Sequence, residues 1–579
     1  MDITGKKLFV KALREEGVDT LFAYPGGMVT DVLDELYRLG DGIRLILPRH
    51  EQALAHEAEG YARETGKPGV CLVTSGPGAT NTVTAITDAF YDSVPLVVFT
   101  GQVPLGLIGN DSFQEVDIVG MVRGVTKYAV TVRDRSKLGT IIKKAFQIAT
   151  SGKPGPVLID LPKNIQLENG PSDYSTEPLD IRGYKPNTNV HIGQLKRASR
   201  LLKVAARPII LAGGGVNLAG AGKALEAFSE KSHIPVVTTV MGKGAIRTDH
   251  PYYIGNGGMH GRYAANIAVH RADLILSIGC RFNDRITGDL NEFSPKSKII
   301  HIDIDPASIS RNVVVDVPIV GDAKMALEKL NEWAEEKDTT DWMKQIRKWD
   351  AEHPLTMSRN HGMTPQMIME GINEVYKDAK TTYLTDVGQH QMFAAQYIDI
   401  DENKKFFTSG GLGTMGYGFP AAIGAKIADP DREVVCITGD GGFQMNMQEL
   451  ATAMIYKVPV TIVLLNNRYL GMVQQMQHYF YGKRYALTCL CRDEGHMEDR
   501  RDTVATPEET YYPDFVKWAE SYQAHAIRVT EESEIIPALK QARENTDAPT
   551  LIEFVYSSDQ RVLPMVKGGS PMTEMILDN

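Results

Sequence analysis

Gly439-Asp440-Gly441-Gly442 stands at the end of one apolar run, and the next apolar run ends in Asn466-Asn467. A carboxylate and an amide carbonyl are hard oxygen donors, which suits Mg²⁺, a cation that keeps waters and shares its shell with phosphate oxygens. The glycines let the backbone approach an anion closely, and the helix expected after them offers its N-terminal N–H groups. If the two runs are adjacent parallel strands, Asp440 and Asn467 reach the same sheet edge and form a metal–diphosphate site. A GDG turn alone is a common turn; the double Asn at this spacing makes the reading much more specific.

Parallel sheets must position such a site. Strand-like runs are expected at 70–74, 96–100, 157–159, 209–211, 274–278, 434–438 and 460–465, alternating with helical patterns, and several end in Gly-rich turns. Ligands bind at that carboxyl edge in open α/β sheets. Two stretches read as linkers, 166–190 for its Pro, Gly, Asp and Asn, and 331–362 for its charges and turns. They divide the chain into units of 1–165, 190–330 and 364–560, with a tail at 561–579. VCLVTSGPG (70–78) and VVCITGDGG (434–442) are both strands running into glycine turns, each followed at the same distance by Val-Pro and another apolar strand. The first and third units are therefore expected to share one fold. The expected class is α/β: three doubly wound parallel-sheet domains, two related ones flanking a central nucleotide-binding type.

The composition agrees with a multidomain protein of this kind. The chain has 579 residues, 43% hydrophobic and 23% charged, with a net charge of −10 and no long basic block. That balance argues against nucleic acid or an anionic membrane as partner. No apolar run approaches the roughly 18 residues of a membrane span, and the first residues lack a signal-peptide core, so a cytoplasmic location is expected. Five cysteines form no disulfide framework, and Cys71, Cys280 and Cys436 read as small buried hydrophobes.

The segment from Gly439 to Asn467 resembles the diphosphate-binding motif of thiamine-diphosphate enzymes. AYPGGM (23–28), PRHEQALAHEAEGYAR (48–63), SGPGATN (75–81), IGNDSFQE (108–115), GPVLIDLPK (155–163), GLGTMGYGFPAA (411–422) and LGMVQQ (470–475) resemble the catalytic large subunit of the acetolactate synthase family. The likeness runs from about residue 3 to residue 575. It implies an enzyme that decarboxylates pyruvate on thiamine diphosphate and joins the two-carbon fragment to a second 2-ketoacid. With pyruvate as acceptor the product is 2-acetolactate; with 2-ketobutyrate it is 2-aceto-2-hydroxybutyrate, both in branched-chain amino-acid biosynthesis.

Residue by residue, the resemblance makes Asp440, Asn467 and the Tyr469 carbonyl the Mg²⁺ ligands, and Gln389 and His390 the diphosphate contacts. It places Gly413 and Met415 against the aminopyrimidine ring, with the Met415 side chain holding the cofactor bent. Gly26, Gly27, Gly439, Gly441, Gly442, Gly471 and Met472 complete its cofactor-binding positions. Glu51 matches the glutamate that hydrogen-bonds the pyrimidine nitrogen, although by its pattern alone it sits on what would be a solvated helix face. In the family, Glu51 and Asp440 serve one cofactor from different chains, so a homodimer or homotetramer is implied. A small regulatory subunit is a further implied partner. Gln114 and Lys163 match positions lining the active site, and Phe113-Gln114 stands where a simple decarboxylase places a His pair. Arg285 matches an arginine that holds the acceptor carboxylate, a task suited to a guanidinium fork. By type alone, an arginine beside an Asp is usually a surface pair.

In the middle unit Gly213-Gly214-Gly215 follows a strand, but Leu218 breaks G-x-G-x-x-G, and the Asp of HIDIDP comes too late for a dinucleotide fingerprint. The family nevertheless implies FAD here, outside the net reaction, at Gly214, Gly215, Met259, His260, Gly279, Arg281, Asp303, Ile304 and Asp322. Lys153 stands where the family usually has a flavin-contacting arginine.

Two departures bear on function. Met476 replaces the family's acceptor-pocket tryptophan; Met is adaptable but lacks a rigid face, which implies a relative shift towards pyruvate as acceptor. Between Tyr485 and Pro513 the chain carries an insertion, ALTCLCRDEGHMEDRRDTVATPEETYY, expected as a solvated, charge-rich loop. Its Cys489, Cys491 and His496 lack the fourth ligand of a zinc pattern. Other readings are a thiamine-dependent decarboxylase or pyruvate oxidase and, from a different class, a nicotinamide-dependent oxidoreductase.

Overall fold

The strands Gly69–Val73, Leu96–Gln102 and Pro156–Pro162 are buried at every residue, as expected of parallel strands covered on both faces. The computed structural model describes residues 2–40, 42–359, 362–493 and 510–578. Three six-stranded, all-parallel sheets organise it. The first runs through Thr20–Ala23, Arg44–Ile46, Gly69–Val73, Leu96–Gln102, Tyr128–Thr131 and Pro156–Pro162. The third runs through Thr381–Thr385, Lys404–Thr408, Glu433–Gly439, Thr461–Asn466, His525–Val529 and Thr550–Val555. Counted along the chain within each sheet, both have the spatial order 2-1-3-4-6-5. The repeat of VCLVTSGPG in VVCITGDGG is thus a repeat of topology.

The middle sheet, from Pro208–Ala212 to Val317–Val320, has the order 3-2-1-4-5-6 of dinucleotide-binding folds. Its first and fourth strands are neighbours, so Gly213–Gly215 and Gly279 meet at the point where the order reverses. A Cβ at Gly213 or Gly215 would run into the Gly279 backbone, which is why glycines stand there despite the broken fingerprint.

Both stretches read as linkers carry structure. Asn169–Pro171 pairs antiparallel with Asp2–Thr4, and the Tyr184 hydroxyl lies 3.0 Å from Lys127 Nζ. In the second, Thr340–Glu352 is a helix that buries Trp342, Met343 and Ile346 against the middle sheet. Its apolar residues are spaced one helical turn apart within a strongly charged stretch, so composition concealed them. The tail also packs inward: Val566 N–H bonds the Met259 carbonyl at 2.9 Å, and Val566 and Met572 are buried.

The helix Glu51–Thr65 is no solvated face. It crosses the helix Gly418–Ala428 of the third domain so closely that a Cβ on Gly60 would overlap the Ala421 carbonyl and one on Gly424 the Glu57 carbonyl. Ala55, Ala58 and Ala62 join Ala421, Ala422 and Ala425 in one continuous core. His56, Glu57, Glu59 and Asp88 are buried in the same seam. His56 Nδ1 lies 2.9 Å from Glu59 Oε1, and Arg63 donates to Asp92 at 2.8 Å. Burial, then the Glu59 and Asp92 carboxylates, push the Asp88 carboxyl up, and burial does the same for Glu59.

Two measurements check this seam. Gly424→Ala is expected to cost about 1–3 kcal/mol of stability in urea unfolding, because backbone faces the added methyl. The seam acids also keep protons that the unfolded chain releases near the ordinary aspartate value of 3.8, so stability falls as pH rises from there through the raised folded values. His56, depressed to about 4 by burial, acts in the opposite sense, losing stability as pH falls below 6.5. The urea midpoint should therefore decline between about pH 6 and about pH 8, and Asp88→Asn should flatten that decline.

Candidate active site

Strand order puts Asp440 and Asn467 side by side. Glu433–Gly439 pairs with Thr461–Asn466 in register Gly439 to Leu465, so both polar residues leave the sheet at its carboxyl edge. Asp440 and Asn467 are both buried. Asp440 opens the helix Asp440–Asn446, and burial pushes its carboxyl up to about 7. Asn467 donates to Gln389 Oε1 at 3.1 Å, and its Oδ1 accepts from Tyr469 N–H at 3.1 Å. Gln389 in turn donates to Gln475 at 2.9 Å, fixing the start of the helix Gln389–Tyr397.

This edge fits a divalent cation and an anion. His390 is buried, its Nε2 has no hydrogen-bond partner among the described residues, and burial lowers its pKa to about 3. A Cβ on Gly439 would press on His390 at 2.8 Å, and one on Gly471 would overlap Gln389, so the backbone lies close against these polar groups. An orphaned ring nitrogen beside two helix N-termini is the donor set a diphosphate needs. A buried carboxylate with an amide oxygen is the acceptor set a Mg²⁺ needs. Met415 Cε lies 3.5 Å from where a Gly441 Cβ would be, which puts Met415 at this turn.

A second group sits at the carboxyl edge of the first sheet. Glu51 Oε2 accepts from Asn81 at 2.9 Å, and its Oε1 is 3.5 Å from where a Gly78 Cβ would be. Lys163 donates to the Gly27 carbonyl at 2.9 Å and lies 3.6 Å from Asp31. Gly26 abuts Thr74 and Gly76 abuts Gln114, which holds a φ of 58°. Phe113 is 84% exposed, an apolar ring standing in solvent at this edge. No hydrogen bond or ion pair among the described residues joins the Glu51 group to the Asp440 turn.

A third group lines a cleft of about 680 Å³ where the middle domain meets the first and third domains. Lys153, Gly214, Gly215, Met259, His260, Gly279, Arg281, Asp303, Ile304 and Asp322 all line it. From the third domain come Gly413, Met472 and Met476, and Arg285 stands on the same wall. Burial lowers His260 to about 4, and its Nδ1 lies 3.3 Å from the Pro564 carbonyl. Lys153 pairs with Asp305 at 3.6 Å, and Arg285 pairs with Asp284 at 3.4 Å while remaining largely exposed.

Consecutive parts of the chain match three descriptions of one enzyme family. They are the N-terminal TPP binding domain of thiamine pyrophosphate enzymes over residues 3–121, the central domain over 195–330 and the C-terminal TPP binding domain over 386–554. The acetolactate synthase large subunit of Haemophilus influenzae is 43% identical, over 99% of this chain and 98% of its own. The isozyme 3 large subunit of Escherichia coli is also 43% identical, with the same coverage of both chains. The probable acetolactate synthase large subunit of Methanocaldococcus jannaschii is 45% identical, over 99% of this chain and 95% of its own. The chain belongs to the acetolactate synthase family of thiamine pyrophosphate enzymes.

Against that family, several contributing residues had no signal strong enough to be singled out. Asp88 and Asp92 come from the first domain, four apart on the helix Val83–Asp92 and both facing inward. Asp92 accepts from Gly410 N–H at 3.0 Å and Gly411 N–H at 2.7 Å. Asp88 accepts from Thr414 at 2.9 Å and from Ser409. Together they hold the loop that carries Gly413 and Met415. Asp386 accepts from Thr438 at 2.7 Å and backs Gly442. Two acids one turn apart on an otherwise apolar helix were the available clue.

Ala486, Leu487 and Cys489 are exposed, as a solvated loop would be, yet the ends of the insertion are tied to the site. Leu470 N–H bonds the Thr488 carbonyl at 2.8 Å, Leu490 N–H bonds the Arg468 carbonyl at 2.9 Å, and Arg492–Asp493 pairs with Thr510–Tyr511. Tyr512 donates its hydroxyl to Asp440 Oδ2 at 3.0 Å under the Arg468 guanidinium. His496 and the rest of 494–509 lie outside the described residues. Tyr512→Phe removes this donor to Asp440 and should weaken Mg²⁺-dependent binding of thiamine diphosphate by about ten-fold or more, read by calorimetry on the apo-protein.

Proposed function

We propose that this chain decarboxylates pyruvate and joins the resulting two-carbon unit to a second 2-ketoacid, making 2-acetolactate or 2-aceto-2-hydroxybutyrate with release of CO₂. The observation that carries this is the Asp440–Asn467 edge with the unpartnered His390 nitrogen, in a chain that is like acetolactate synthase large subunits from end to end. Asp440, Asn467 and the Tyr469 carbonyl would hold Mg²⁺; Gln389, His390 and the N–H groups after Gly439 would hold the diphosphate. Bound thiamine diphosphate supplies the carbon nucleophile and the electron sink that the protein lacks. Glu51 holds the proton exchanged with the pyrimidine nitrogen. Arg285 offers its fork to the acceptor carboxylate, and Met476 borders the acceptor's alkyl end with an adaptable rather than rigid surface. Gln114 and Lys163 orient the substrate from the first domain.

A FAD-type dinucleotide suits the middle cleft, supported by its 3-2-1-4-5-6 sheet and the glycine approach at Gly213–Gly215. That no hydrogen bond or ion pair among the described residues joins the Glu51 and Asp440 groups supports a site completed by a second copy of the chain. A small regulatory subunit is the further partner proposed, since the relatives carry the words large subunit in their names. Among the described residues no helix is long and apolar enough to cross a membrane, which accords with a cytoplasmic enzyme.

With pyruvate, thiamine diphosphate and Mg²⁺, the expected product is 2-acetolactate; acetaldehyde or acetyl phosphate alone would refute the carboligase reading. When 2-ketobutyrate competes with pyruvate, a strong preference for 2-ketobutyrate would contradict the role given to Met476. Glu51→Gln should leave the fold intact and slow exchange of the thiazolium C2 proton by orders of magnitude. Mixing inactive Glu51→Gln and Asp440→Asn chains under exchange conditions should restore activity, since a mixed dimer regains one intact site. No recovery would place both residues in a site within one chain.

A further inference from the structure

The insertion contains a feature that the carboligase reaction does not use. Thr488 to Leu490 runs beside Arg468–Leu470 as a short strand segment, so side chains alternate. Thr488 and Leu490 face inward; Leu490 lies 3.4 Å from where a Gly441 Cβ would stand. Cys489 and Cys491 share the outer side, and a bend at Cys491 draws their sulfurs to 3.1 Å. Cys489 is exposed and Cys491 half-buried, whereas Cys71, Cys280 and Cys436 are buried.

A paired thiol can hold a metal or close to a disulfide, and the surroundings of this pair decide between them. Among the described residues no third His, Cys, Asp or Glu ligand atom stands with the two sulfurs, so a tetrahedral metal would lack its other ligands. The sulfurs, 3.1 Å apart, need about 1 Å of further approach to reach a disulfide bond of about 2.05 Å. We propose that Cys489 and Cys491 form an oxidisable dithiol that closes to an intrachain disulfide with a small disulfide such as oxidised glutathione. Exposed Cys489, as thiolate, attacks one glutathione sulfur and expels the first glutathione thiolate. Cys491, as thiolate, then attacks the Cys489 sulfur and expels the second. Two electrons pass from the cysteine pair to glutathione, and the two thiol protons end on the two released glutathiones. Cys489 is the exposed thiol and Cys491 the half-buried one, so Cys489 is the entry point and Cys491 the resolving group. Closure would fix the bend at Cys491 and with it the seat of Leu490 over Gly441 and Met415.

The full chain, treated with oxidised glutathione and trapped with iodoacetamide before non-reducing digestion, tests this by peptide mass. The wild type should yield a 489–491 peptide lighter by two hydrogens and free of glutathione, with Cys71, Cys280 and Cys436 still thiols. Cys491→Ser should retain glutathione on Cys489, about ten-fold or more over the wild type, because nothing resolves it. The proposal is overturned if both cysteines are alkylated as thiols after treatment. It is equally overturned if the wild type keeps as much glutathione as Cys491→Ser, or if Cys489 links to another cysteine.

Discussion

The close crossing of Glu51–Thr65 over Gly418–Ala428 is the constraint on which the arrangement depends. Two helices approach backbone to backbone only where glycine and alanine leave room, and Gly60 and Gly424 each face a carbonyl of the other helix. That contact merges the cores of the first and third domains. It also places Asp88 and Asp92 beneath the loop from Ser409 to Thr414. The loop carrying Gly413 and Met415 is thereby held by carboxylates of another domain. The geometry of one cofactor-binding segment is set by an interdomain seam rather than by its own sequence.

Two copies of one sheet topology give the chain two carboxyl edges with different equipment. The third domain has Asp440, Asn467, Gln389 and His390, donors and acceptors for a metal and a diphosphate. The first has Glu51 bonded to Asn81, Lys163 bonded to the Gly27 carbonyl, and Gln114 against Gly76. The middle domain, with a different strand order, adds a cleft whose glycines let backbone approach backbone at the reversal point.

Much of the site was legible because local patterns were strong. The Asp440 and Asn467 positions follow from two apolar runs ending in polar residues, since neighbouring parallel strands must deliver them to one edge. The Glu51 helix misleads for a physical reason: its glutamates have the spacing of a wet face, but Glu57 and Glu59 are buried against another domain. Burial of an acid depends on what packs over it, and no local period records that. Thr340–Glu352 was obscured for a related reason, its three core residues being outnumbered by charges on the outer face. The insertion's ends, read as solvated, are tied to Arg468, Leu470 and Asp440 by contacts between residues distant in sequence.

The sequence by itself determined the class of fold, the repeat of its first unit in its third, and the arrival of Asp440 and Asn467 at one sheet edge. These rest on strand periodicity, glycine turns and ligand chemistry, which are local. Only the tertiary structure decided that the seam acids are buried, that Asp88 and Asp92 hold the Gly413 loop, and that Tyr512 reaches Asp440. It also set Cys489 beside Cys491. Each is a matter of which surfaces exclude water together, and packing over long separations settles that where local pattern cannot.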